Sequence, residues 1–162
     1  MFTNILVPID GSDHAALALS EAADLAQDGR ARLTLLSVVP DLSGWIVAGA
    51  AGNESSIETL TDQAETSHDR LLDEAASSIP SSIEVTKLVG HGQPGPAIVD
   101  QVRDGGHDLV VMGMRGRGDV KSLLLGSVSH YVLHASPAAT LIVHVAASAK
   151  HGAPQAEQAA QA

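Results

Sequence analysis

The sequence predicts an α/β fold, a single doubly wound domain on a five-stranded parallel sheet. Three observations predict it. Short β-branched apolar runs alternate with longer stretches of helical periodicity, the order that builds parallel βαβ units. The apolar runs are continuous rather than alternating, as in strands covered on both faces. A chain of 162 residues is the usual size of one domain and buries a core without disulfide staples.

Ile5-Leu6-Val7-Pro8-Ile9 reads as the first strand. Ser12 or Asp13 caps the next helix, which carries Leu17, Leu19, Ala22, Ala23, Leu25 and Ala26 and stops at Gly29. Leu33 to Val39 is the second strand, ended by Pro40. A Gly/Ala-rich loop over 41–56 holds the lone Trp45, read as a partly buried anchor. Ile57 to Ser78 is an acidic amphipathic helix with an apolar stripe at Leu60, Ala64, Leu71 and Ala75. Ile83 to Val89 is the third strand. Pro94 suits the first turn of the helix through Ile98, Val99 and Val102. Asp108 to Met112 is the fourth strand, Val128 to Ala135 the last helix and Thr140 to Val143 the fifth strand. The Ala/Gln-rich end has no apolar stripe. The domain is therefore expected over 1–146, with a flexible tail at 147–162.

Composition narrows the function. The chain has no cysteine, which excludes thiol redox chemistry and thiolate zinc sites. The formal net charge is -10, with nine Lys and Arg. Nucleic-acid binding needs a basic face, so DNA, RNA and anionic membranes are not expected partners. No apolar run approaches the roughly 18 residues of a membrane span, and the N-terminus does not read as a signal peptide. A cytoplasmic location is the expectation. The one dense basic cluster, Arg115, Arg117 and Lys121, lies in a glycine-rich loop.

That loop carries the chemistry. Gly113-Met114-Arg115-Gly116 follows the fourth strand, and Gly126-Ser127 comes after nine intervening residues. Glycines admit close backbone approach, and successive amides in such a turn form an anion nest. Ser127 and Ser129 offer hydroxyls at a helix N-terminus, which favours negative charge. Arg115, Arg117 or Lys121 would add charge-assisted contacts. Spacing alone leaves two readings, a phosphate cradle or a plain connecting turn with Ser127 and Ser129 as caps.

Gly113-x2-Gly116-x9-Gly126-Ser127 resembles the nucleotide-binding signature of the ATP-binding branch of the universal stress protein family. Asn4 to Ser12, Leu33 to Val38, Asp108 to Gly113 and Leu123 to Val128 resemble that family's other motifs. The resemblance covers roughly residues 2 to 145. It implies strand order 3-2-1-4-5 and a site between the first and fourth strands. It places Asp10 at the ribose or phosphates. Pro8, Ile9 and Val38 would line the adenine pocket, Val38 through its backbone. Met112, Gly113, Arg115, Gly116, Arg117, Gly126, Ser127, Val128 and Ser129 would surround ribose and phosphates, with Mg²⁺ held mainly by the phosphates. It also implies a homodimer through the last strand, Thr140 to Val143. Ala139-Thr140 stands where the family often has Pro-Val, and Asp119 puts a negative charge in the loop.

Other motifs have blander readings. Gly90-His91-Gly92-Gln93-Pro94-Gly95 fits a dinucleotide fingerprint by pattern, but it follows an edge strand and Pro94 removes an amide donor. It reads as a structural turn. His130 and His134 share a helical face without a third metal ligand. Ser12-Asp13-His14 lacks a nucleophile elbow. No catalytic residue stands out beyond Asp10 and Asp119. The expected function is an ATP-dependent regulatory module with a possible protein partner. Slow ATP hydrolysis, or binding of AMP or cyclic AMP, is the alternative.

Overall fold

The computed structural model describes residues 1–41, 54–116 and 125–144. Trp45, Arg117, Asp119, Lys121 and the expected tail at 147–162 lie outside the described residues. The elements are, in chain order, β1 (Asn4–Pro8), α1 (Asp13–Gly29), β2 (Arg32–Val39), α2 (Glu54–Ser77), β3 (Val85–His91), α3 (Pro94–Asp104), β4 (Leu109–Gly113), α4 (Ser127–Ala135) and β5 (Ala139–Val143). The strands form one parallel sheet in the order β3-β2-β1-β4-β5. This is the expected fold and the expected strand order.

Strand alternation divides the core in two. Ile5, Val7 and Ile9 face Ala18, Leu19 and Ala22 of α1 and Leu72 of α2. Leu6, Leu36, Val110 and Met112 face Ile98, Val99 and Val102 of α3 and Val132 of α4. Each fully buried aliphatic side chain contributes about 1.5–3 kcal/mol relative to exposure. The central strands are therefore apolar on both faces, while the edge strands β3 and β5 are only half-buried.

Several boundaries and one stripe differ from the expectation. Ile83 is buried but precedes β3, because its amide closes a turn on the Pro80 carbonyl at 3.0 Å. The second helix starts at Glu54 rather than Ile57. Leu71 and Ala75 of the expected stripe pack against the core, but the most buried described residue of the helix is Leu72, 1% exposed, whereas Leu60 is 48% exposed. Ala64, His68 and Leu72 form the i, i+4 row that faces the sheet side of this helix.

The first strand ends where its chemistry changes. Ile9 N–H donates to the Leu36 carbonyl at 2.8 Å, so odd residues of β1 bond toward β2. Even residues bond toward β4, as the Asp108 amide on the Asn4 carbonyl shows at 3.0 Å. Pro8 has no N–H at the point where the β4 ladder would continue. The β1–β4 register accordingly stops at Leu6↔Val110, while β1–β2 runs on to Pro8↔Leu36.

The opposite end of the sheet is knotted by polar bonds. Asp108 accepts from Thr3 N–H and Thr3 Oγ1, both at 2.8 Å, and from Asn4 N–H at 3.1 Å. Burial pushes this carboxyl up, but those hydrogen bonds outweigh it and hold Asp108 below the ordinary value. Asn4 Nδ2 donates to the Gly105 and Gly106 carbonyls at 2.9 and 3.1 Å. The buried His107 beside them is pushed below its ordinary value by burial, with a hydrogen bond to the Asn4 backbone opposing.

Candidate functional site

The site is built where β1 and β4 part. Strand order reverses there, since the chain runs outward from β1 to β3 and returns to β4. Ligands on open α/β sheets bind at such a point, beyond the carboxyl ends of the strands. A cavity of about 650 Å³ opens at that position, within the usual size of a small-molecule pocket.

Its first wall comes from the end of β1. Pro8, Ile9 and Asp10 line the cavity. Gly11 takes φ 78°, the left-handed turn that glycine allows, and brings the chain into α1. Asp10 Oδ1 accepts from Ser12 N–H at 3.0 Å, and Ser12 Oγ accepts from Ala15 N–H at 3.1 Å as the helix cap. Ser12 is thus a cap, as the bland reading of Ser12-Asp13-His14 holds.

The second wall is β2. Leu36 and Val38 line the cavity. Leu36 bonds Ile9 through its carbonyl, so Val38, two residues on, turns its N–H and C=O to the same edge beyond the end of β1. A backbone pair there suits the edge of a planar base.

The third wall holds the glycine motif. Met112, Gly113, Arg115, Gly116, Gly126, Ser127, Val128 and Ser129 all line the cavity. The glycines are needed for reasons the spacing did not reveal. A Cβ on Gly113 would meet His14 Cβ at 2.5 Å and the His14 backbone at 2.8 Å, so this glycine lets α1 lie against β4. A Cβ on Gly116 would meet Asp10 Oδ2 at 2.5 Å, so this glycine seats the loop on the first-strand carboxylate. Neither has a positive φ.

The two serines also divide. Ser129 is buried, and its hydroxyl donates to the Met114 carbonyl at 2.8 Å. It ties the loop to the helix, and its donor is engaged within the protein where the sequence expected it to face a ligand. Ser127 is exposed at the start of α4, whose N-cap is Gly126 without a side-chain cap bond. The first-turn amides of α4 have no intrahelical acceptor and carry the positive end of the helix dipole. Arg115 adds a cation on the same wall.

The sequence reading missed Ala15, Leu36, Pro40, His68, Pro94, Ile98 and Leu125, which complete the lining. Pro94 belongs to the glycine-rich turn set aside above, and it serves as an apolar wall rather than a phosphate loop. Gly92 takes φ 96° and Pro94 starts α3, as a structural turn requires. His68 was legible as a histidine in the apolar row of α2. The His130 and His134 rings meet edge to face at 4.5 Å. Among the described residues no group of three or more His, Cys, Asp or Glu could hold a metal.

A wider cavity of about 760 Å³ lies at the other end of the sheet, beside Asn4, Arg30, Arg32 and Glu84. It is larger, but it gathers none of the glycine motif and lies away from the strand switch point. Position and chemistry favour the smaller cavity as the functional one.

A doubly wound domain with a helix N-terminus opening on a cavity at the strand switch point is the class this geometry defines. The universal stress protein family model matches residues 1–144, and the chain belongs to that family. It is similar to universal stress protein YxiE of Bacillus subtilis, with 30% identity over 151 residues, 88% of this chain and 99% of that one. Among solved structures it is similar to protein MJ0577, of Methanocaldococcus jannaschii, at TM-score 0.72 and 26% identity, covering 91% of this chain and 99% of the other. It shares the fold of a universal stress protein crystallised with cAMP, at TM-score 0.65 and 24% identity, covering 88% and 97%. Among the described residues no helix is long and apolar enough to cross a membrane.

Proposed function

We propose that this chain binds ATP in the β1–β4 slot and acts as a nucleotide-dependent regulatory module in the stress response. The observation that carries the reading is the convergence on one cavity of the Asp10 turn, the open backbone edge at Val38, Gly116 and the Gly126 to Ser129 start of α4. The base lies between Pro8, Ile9, Val38 and the apolar α3 wall. The phosphates lie toward Arg115, Gly116 and the first-turn amides of α4. One helix end contributes about 0.3–2 kcal/mol, against about 8 kcal/mol for micromolar binding. Backbone donors, the base slot and a counter-ion act together.

Mg²⁺ fits only as a partner of the phosphates. Asp10 is the one carboxylate lining the cavity among the described residues, and one of its oxygens already serves Ser12. Mg²⁺ commonly combines one carboxylate with phosphate oxygens and waters. Among the described residues Asp10 and His68 are the only general-base types on the lining, and the reading is binding with little turnover.

The test is calorimetric titration with ATP, ADP, AMP and cyclic AMP, each with and without Mg²⁺, followed by product analysis over hours. ATP binding in the micromolar range, with little hydrolysis, is expected. No binding below millimolar for any of the four would overturn the reading, and turnover many times per minute would replace it with an enzyme.

We also propose that a second copy pairs along β5. Among the described residues its outer edge is unpaired, and Leu141 on it is an exposed large hydrophobic. Pairing would protect that edge. Light scattering should give twice the chain mass, and Leu141→Lys should reduce it to one.

A further inference from the structure

We propose that His68 is a positioning residue of this pocket, acting through Ser37 on the Ile9–Asp10 segment. The inference rests on the nucleotide reading above and adds a part that the glycine motif does not contain. His68 is the one residue of α2 on the cavity lining among the described residues. Its Nδ1 lies 2.7 Å from Ser37 Oγ. The Ser37 side chain is fully buried, and its Oγ also lies 2.9 Å from the Ile9 carbonyl.

Hydrogen counting fixes the direction of these bonds. A carbonyl oxygen only accepts, so the single serine hydrogen goes to Ile9. The hydrogen between Ser37 and His68 must then come from the imidazole. Nδ1 of His68 therefore carries a proton, and donation runs from His68 to Ser37 to Ile9. The opposite tautomer would set two lone pairs against each other in a buried site, at the cost of an unsatisfied acceptor.

The relay acts where the slot begins. Ile9 N–H is held by Leu36 and Ile9 C=O by Ser37, so both polar groups of Ile9 are tied to neighbouring residues of β2. Asp10 follows directly, and its Oδ2 lies under Gly116. Ser37 also stands between Leu36 and Val38, which supply the base wall. Fixing the Ser37 rotamer from α2 thus sets both the base edge and the carboxylate. Withdrawing a donor from Ser37 frees that rotamer.

The test combines a spectroscopic signature with a mutant cycle. Long-range ¹H–¹⁵N NMR on the ligand-free protein should show His68 protonated at Nδ1. A neutral ring protonated only at Nε2 would overturn the relay. Calorimetry with ATP and Mg²⁺ then compares the unsubstituted protein with His68→Ala, Ser37→Ala and the double variant, with thermal unfolding measured in parallel. Each single change should weaken binding about tenfold, the effect of one hydrogen bond, and the double change should add little. His68→Asn, whose amide nitrogen reaches the Nδ1 position, should recover most of the loss, while His68→Leu should not. Full affinity in His68→Ala, additive losses in the double variant, or equal losses in His68→Asn and His68→Leu would each overturn the inference while leaving nucleotide binding standing. Failure of the unsubstituted protein to bind would overturn both.

Discussion

The two ends of the sheet are held by opposite means. At the amino ends of the strands, Thr3, Asn4 and Asp108 close the β1–β4 junction with side-chain hydrogen bonds. At the carboxyl ends, β1 is cut short by Pro8 and the strands part around a cavity. One end spends most of its polar groups on joining β1 to β4, and the other leaves amides and a backbone edge turned outward. The difference teaches that stability and binding are separable in this fold, and substitutions at each end can test the separation.

The largest expected effect crosses the divide. Gly113→Ala puts a Cβ 2.5 Å from His14 Cβ and close to its backbone, so α1 must move. A loss of about 2–3 kcal/mol is expected in denaturant unfolding. A loss below about 0.5 kcal/mol would show that α1 does not pack on β4 as described. Next comes Asp108→Ala at the closed end. It removes the acceptor of three bonds and should cost about 1–2 kcal/mol with ATP affinity unchanged. A parallel loss of affinity would join the two ends. Gly116→Ala should do the reverse. Its Cβ meets a carboxylate oxygen rather than backbone, so Asp10 swings aside and binding falls about tenfold with stability nearly intact. Unchanged affinity would dismiss Asp10 as a ligand group.

The smallest effect is a pH dependence at the closed end. Burial holds His107 below its ordinary value of 6.5, so below that pH the unfolded chain takes up a proton that the folded one resists. Its contribution is full above 6.5 and declines as pH falls toward the folded value. Asp108, held below its ordinary 3.8 by hydrogen bonds, adds a second loss at more acid pH. The unfolding midpoint should therefore fall from pH 6.5 downward, and His107→Gln should flatten the first step. A profile unchanged by that substitution would place the titration elsewhere.

Much of the fold was legible because the central strands are continuously apolar and the helices are periodic. The order of strands was read only by resemblance, since periodicity says nothing about which strands touch. The site was legible as a list and less so as a mechanism. Glycine spacing identified Gly113 and Gly116 but not what fills the space beside them. That depends on His14 and Asp10, each about a hundred residues away in the chain. Ser129 looked like Ser127 in sequence, yet helical phase turns one inward to Met114 and leaves the other exposed. His68 could be placed in the apolar row of α2, but its role was hidden because its partner, Ser37, reads as an ordinary strand residue until the sheet face is known.

The missing amide of Pro8 has a thermodynamic consequence. A slot made by withholding one hydrogen-bond donor is open before any ligand arrives. The work of parting β1 from β4 is done once, during folding, and is not repeated at each binding event. Affinity then reflects the contacts themselves, undiminished by the fraction of molecules that happen to be open. A residue with an amide at this position would let the strands zip further and turn a standing opening into one that each ligand must create.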